Sequence, residues 1–181
     1  MRSSYPIDGS SRAGVIVRGT LTLYFSIGRV HALCREGVPL EARLLPVNGF
    51  VALVQQAGDS RTRPLLRELG FHLIALELPL NVPGGPTHGT VVADAVAWHP
   101  ETGIFLVAEA KSGRNFDETQ AVRYSGVTPE IVQRATKADI PRGVVPSVVV
   151  VYCVMEAALA RIRVPLRAVA PSSIIVAFDQ S

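Results

Sequence analysis

The chain has 181 residues, 48% of them hydrophobic and only 18% charged, the size of one globular domain able to bury about 70% of its unfolded surface. Its net charge of +3 and pI of 9.2 permit a polyanionic partner without requiring one, and its mean hydropathy of +0.30 comes from many short apolar runs. The longest run, residues 148–155, is far below the roughly 20 residues of a membrane span, and the polar first ten residues lack a secretory pattern, so a cytoplasmic protein is expected.

In chain order, residues 15–27 predict a strand or hairpin, and residues 29–36 and 50–56 predict short helices. Thr62 as N-cap, Pro64 in the first turn, Leu65, Leu66 and Leu69 on one face and Gly70 as the stop predict another short helix. A strand over 71–80 leads into a wide loop over 81–89 with a Pro-Gly-Gly-Pro core. Strands over 90–98 and 104–111 are joined by His99-Pro100-Glu101-Thr102-Gly103, whose Pro and Gly suit a hairpin. Asn115 and Glu118 have capping-box spacing and open a helix closed by Gly126, after which Thr128-Pro129 starts a second. The Val-rich run 147–155 predicts a strand covered on both faces, and 173–178 a last strand. The core order is α-β-β-β-α-β. Gly and Pro do not cluster into a linker. Cys34 and Cys153, far apart in apolar surroundings, read as core residues, not as a disulfide or a cluster site.

The hairpin brings chemistry together. If Pro100 to Gly103 form a four-residue loop, paired residue numbers sum to 203 and Asp94 lies directly opposite Glu109. Opposed side chains stand about 5 Å apart at Cβ, so two like charges there call for something positive between them, such as a metal ion. A five-residue loop would instead leave them diagonal, on opposite faces, as ordinary strand-end charges. With the first register, Val96, Val107, Trp98, Phe105 and Lys111 share the acidic face. Ala93, Ala95, Ala97, Leu106, Ala108 and Ala110 form the reverse face, small enough for a helix to approach closely. Two hard carboxylates hold part of a Mg²⁺ octahedron, and an ammonium offsets charge growing on phosphorus. Of 18 basic residues 16 are Arg, which makes Lys111 an exception.

Asp94, then Glu109-Ala110-Lys111, then Gln120-Ala121-Val122-Arg123-Tyr124 resemble the PD-(D/E)XK nuclease superfamily, the Gln-x-x-x-Tyr pointing to its RecB-type exonuclease branch. The match spans roughly residues 62–155, with Ala93 where the family name has Pro. The resemblance implies an α/β fold with a restriction-endonuclease-like αβββαβ core and a mixed sheet flanked by helices. It implies a nuclease-like domain over 61–181, with 1–60 an N-terminal extension packed on it. It further implies Mg²⁺, replaceable by Mn²⁺, held by Asp94 and Glu109, with the Ala110 carbonyl as a third ligand and Glu68 as an accessory one. Lys111 would be the catalytic lysine. Gln120 and Tyr124, one helical turn apart, would border the site. The implied activity is hydrolysis of DNA phosphodiesters by water attack.

The competing reading is a catalytically silent nuclease-fold subunit that binds DNA or assembles a larger complex, and partner subunits or a homodimer stay open in either case. Glu68, among Arg61, Arg63 and Arg67, also reads as a solvated ion pair. Arg114, Arg123 and Arg134 line a phosphate groove or are solvated charges. His31, His72, His88 and His99 have no ligand spacing, Trp98 and Phe105 read as a core pair, and the chain has neither a Gly-Lys-Ser/Thr phosphate loop nor a Gly-x-Ser-x-Gly elbow.

Overall fold

Short apolar runs separated by Pro and Gly fold as strands and amphipathic helices of one α/β layer arrangement. A computed structural model describes residues 15–17, 20–26, 44–55, 64–84, 88–111 and 116–179. The elements are β1 (Val15–Val17), β2 (Thr20–Ser26), α1 (Leu44–Val54), α2 (Leu65–Glu68), β3 (His72–Val82), β4 (Gly89–His99), β5 (Ile104–Lys111), α3 (Glu118–Ser125), α4 (Pro129–Thr136), β6 (Ser147–Met155), α5 (Glu156–Val169) and β7 (Ile174–Asp179). The strands form one mixed sheet in the order β1-β2-β7-β6-β5-β4-β3. β3, β4 and β5 run antiparallel in succession, while β5, β6 and β7 are parallel neighbours, so α3 with α4, and then α5, supply the crossovers.

Helices cover both faces. Phe50, Leu53 and Val54 of α1 pack on Ala95, Ala97, Leu106, Ala108, Val151, Cys153, Val176 and Phe178, so the small-residue face of the hairpin does receive a helix. On the other face Tyr124 of α3, Val127 between the two helices and Val132 of α4 pack on Val96, Trp98, Phe105 and Val107, and α5 packs on Tyr152, Val154, Ile175 and Ala177. Trp98 and Phe105 stack with centroids 4.4 Å apart inside this core. β6 is covered on both sides, and Cys153 is buried.

The hairpin has the expected register: Ala95↔Ala108 through His99↔Ile104 all sum to 203. Gly103, at φ +73, closes the loop, its N–H donating to the His99 carbonyl at 2.9 Å. On the other side of β4 the pairs Leu76↔Ala95 and Leu78↔Ala93 bracket Glu77, which has φ +48. A left-handed non-glycine residue thus faces Asp94 across the ladder.

Several expectations need correction. The helix predicted over 50–56 is α1, Leu44–Val54: it starts earlier because Pro46 sits in its first turn, where no N–H is needed. Asn81 and Val82 belong to β3 and Gly89 to β4, where Val82 pairs with Gly89, so the loop is shorter than 81–89. α2 is only Leu65–Glu68 with Pro64 at its N-cap; Thr62, like Asn115, Cys34, His31, Arg114 and the helix predicted over 29–36, lies outside the described residues. The cap of α3 is Asp117, whose Oδ1 accepts the Gln120 N–H at 3.0 Å. α5 and β7 follow the predicted core order. α5 has no counterpart among the expectations, because Pro165 interrupts a pattern in which Ala158, Leu159, Ile162 and Leu166 are buried. No helix among the described residues is long and apolar enough to cross a membrane.

Candidate active site

Alternation along β5 puts Glu109 and Lys111 on the face covered by α3, and Asp94 enters from β4. All three are buried, at 5%, 4% and 6% exposure for Asp94, Glu109 and Lys111. Regular pairing of β4 with β5 ends at Ala95↔Ala108, one step short of the predicted Asp94–Glu109 pair. The reason is local: Asp94 Oδ2 accepts the Ala110 N–H at 2.7 Å, so a side chain occupies the backbone donor beyond the last pair. The two acids sit on adjoining strands, but not as a regular cross-strand couple.

Helix α3 completes the cluster. Asp117 fixes its first turn, and residues four apart share one face, which sends Gln120 and Tyr124 toward β5. Lys111 Nζ donates to Glu109 Oε1 at 2.9 Å and to Gln120 Oε1. Gln120 Nε2 donates to Glu109 Oε1 at 3.0 Å, and the Tyr124 hydroxyl donates at 2.6 Å to Glu109 Oε2, with the Val92 carbonyl 2.8 Å away as its other acceptor. Glu109 is therefore held by three side chains, and each oxygen of its carboxyl group has a partner.

The electrostatics follow from burial. Burial pushes the Glu109 carboxyl above its ordinary value, and the nearby Asp94 charge pushes the same way, against Lys111 and the Tyr124 hydrogen bond. Burial and the Glu109 charge drive the Tyr124 phenol far upward, so it remains a neutral donor. Among the described residues the buried Lys111 ammonium pairs with Glu109, with buried Asp94 on the adjoining strand. No group of three or more His, Cys, Asp or Glu side chains able to hold a metal occurs among the described residues. Two carboxylates without a third suit Mg²⁺, which keeps most of its waters and is bound through one or two carboxylates. The donor set fits that ion.

Of the remaining site candidates, Ala110 is buried beside Cys153 of β6 and its N–H is taken by Asp94. Glu68 is exposed in the last turn of α2 and does not complete an acidic trio with Asp94 and Glu109. Arg123, next to Tyr124 on α3, is half-buried against Gly89, where a Cβ would lie 3.2 Å from its Nε. Arg134, His72 and His88 are exposed, and His99 packs its ring edge-on to Phe71 with Nδ1 accepting the Thr102 N–H at 3.4 Å. Sequence reasoning missed the Asp117 cap, the Val92 carbonyl and Tyr152, which lies beside Glu109 in the β5–β6 register. Asp117 precedes the helix directly and carried a capping signal; a backbone carbonyl carries none. Comparison of the chain with protein-family models, with curated proteins and with solved structures finds no match.

Proposed function

We propose that the chain is a divalent-metal-dependent deoxyribonuclease of the PD-(D/E)XK type, hydrolysing phosphodiester bonds on a restriction-endonuclease-like αβββαβ core. One observation carries this reading: Asp94, Glu109 and Lys111 are all buried at one end of a hairpin, with Gln120 and Tyr124 from the next helix bonded to the same carboxyl group. The succession α2-β3-β4-β5-α3-α4-β6, with two short helices in the crossover, supports the same core.

Asp94 and Glu109 would hold Mg²⁺ or Mn²⁺, which when bound polarises a phosphate oxygen and activates water as the nucleophile. The chain's own groups do the rest. Lys111 presents a compact cation where negative charge develops on phosphorus, and Gln120 fixes its Nζ through Oε1 while bracing Glu109 through Nε2. Tyr124, neutral at working pH, fixes the other oxygen of Glu109. Arg123, one residue before it, offers a phosphate contact that positions the strand without reading bases.

The test is incubation of linear, circular and single-stranded DNA with Mg²⁺, Mn²⁺ or EDTA, for wild type and Lys111→Ala. Metal-dependent cleavage by wild type alone supports a nuclease. Metal-independent binding with no cleavage by either protein replaces it with a DNA-binding or assembly subunit.

A further inference from the structure

Tyr152 is the residue that the site description leaves without a task. It lies on β6 in register with Glu109, on the face covered by α3 and α5, and is wholly buried. Its ring meets that of Tyr124 edge-on with centroids 6.2 Å apart. Its hydroxyl has no hydrogen-bond partner among the described residues although the oxygen is inaccessible to solvent. A buried tyrosine normally finds a partner, since stranding the hydroxyl costs about 1–3 kcal/mol and phenylalanine would fill the same space without that cost.

Its ring packs among apolar residues of α5 and β7, and the site adjoins it through Glu109 and Tyr124. Burial and the Glu109 charge are what raise the Tyr152 phenol above its ordinary range, so the hydroxyl stays protonated and can only serve as a neutral donor or acceptor near that carboxyl group. A carboxylate offers about four acceptor positions. On Glu109, Oε1 takes Lys111 and Gln120, and Oε2 takes Tyr124, so the remaining Oε2 position is the one a cation would occupy. A single buried water accepting from Tyr152 and donating to the oxygen of the neighbouring Tyr124 would give the stranded hydroxyl a partner and leave that position to the cation.

We propose that Tyr152 is a positioning residue of this site, fixing Tyr124, and through it Glu109, by one bridging water. The inference rests on Asp94 and Glu109 binding a divalent cation as proposed above. It gives Glu109 a fixed orientation: α3 supplies Gln120 and Tyr124, and β6 supplies Tyr152, which holds Tyr124. Outer partners of this kind typically change metal affinity 10–100-fold when removed.

The experiment compares full-length wild type with Tyr152→Phe, by calorimetric titration with Mn²⁺ and by thermal melting with and without Mn²⁺. The expected result is an Mn²⁺ dissociation constant raised by about 10-fold or more in the variant. The Mn²⁺-induced rise in melting temperature should be correspondingly smaller, and the metal-free melting temperature should not increase. A variant that melts higher without metal and binds Mn²⁺ as wild type does would show the hydroxyl to be merely stranded and would overturn the proposal while leaving the nuclease reading intact. Wild type that binds no Mn²⁺ would overturn both.

Discussion

The hydroxyl of Tyr124 lies 2.6 Å from Glu109 Oε2 and 2.8 Å from the Val92 carbonyl oxygen, so one proton faces two acceptors. Both acceptors draw on that single hydroxyl, and burial and the Asp94 charge push the Glu109 carboxyl above its ordinary value. Tyr124→Phe removes the oxygen that joins β4, β5 and α3. It is expected to lower stability by about 1–3 kcal/mol, because two buried acceptors lose their donor. Urea unfolding checks this; an unchanged midpoint would mean that the three elements hold together without the shared proton.

The same shift sets a pH dependence. A carboxyl group whose folded pKa lies above its unfolded value binds more protons when folded. Its contribution is therefore fully present below the ordinary value of 4.5 and is lost as pH rises through the folded pKa. Metal-free wild type minus Glu109→Gln should show stability falling over that window, with the slope absent from the variant. A difference curve that rises with pH would reverse the assignment. Since protons and cations compete for Glu109, Mn²⁺ affinity of wild type should rise across the same window.

Among the described residues Lys111 is the cation bonded to Glu109, at 2.9 Å. Lys111→Met keeps most of the apolar stem and deletes the charge, taking from buried Glu109 the ammonium that pairs with it. Removal of one member of a buried pair costs about 3–5 kcal/mol, and loss of a charge-stabilising group lowers turnover about 100-fold or more. Because a divalent cation restores positive charge, Mn²⁺ should recover part of the lost stability but none of the cleavage. Recovery of cleavage by the metal alone would remove Lys111 from the chemistry.

How much of this was legible in the sequence depends on what kind of group was involved. The loop Pro-x-x-Gly and the alternation on either side set the register of β4 and β5, and both β5 and β6 occupy the residues their apolar runs mark. Gln120 and Tyr124 were legible because i, i+4 spacing on a capped helix has one geometric outcome. The break in the ladder at Asp94 was not, since nothing in the residue string tells that a carboxylate will take the Ala110 N–H. Tyr152 was hidden inside a Val-rich run, where its neighbour on β5 depends on a parallel crossover that sequence spacing does not specify. α5 escaped because Pro165 and three exposed or half-buried Arg residues, Arg161, Arg163 and Arg167, mask its apolar stripe.

Arg123 and Gly89 form a second testable pair. Gly89 has φ +140, which strains any other residue, and a Cβ there would sit 3.2 Å from Arg123 Nε, so it would push that side chain aside by a few tenths of an ångström. If Arg123 contacts one phosphate, Arg123→Gln should reduce the salt slope of DNA binding in EDTA by about 1, uniformly across sequences. Gly89→Ala should weaken binding in the same direction, and the double variant should be no worse than Arg123→Gln alone. Additive losses, or an unchanged slope, would show that Arg123 does not touch the backbone.

Glu77 holds φ +48 between two regular ladder pairs, opposite Asp94, and is itself exposed. The left-handed region costs an ordinary residue roughly 1–2 kcal/mol, whereas glycine enters it freely but surrenders more chain entropy, about 0.5–1 kcal/mol. The difference favours Glu77→Gly by about 0.5–1 kcal/mol, a rise of roughly 1–4 °C in melting temperature for a chain of this size. Glu77→Val, branched at Cβ, should do the opposite. Cleavage by Glu77→Gly should match wild type if the bend alone presents Asp94. A stabilised variant with lost cleavage would instead make the Glu77 carboxylate itself part of the site.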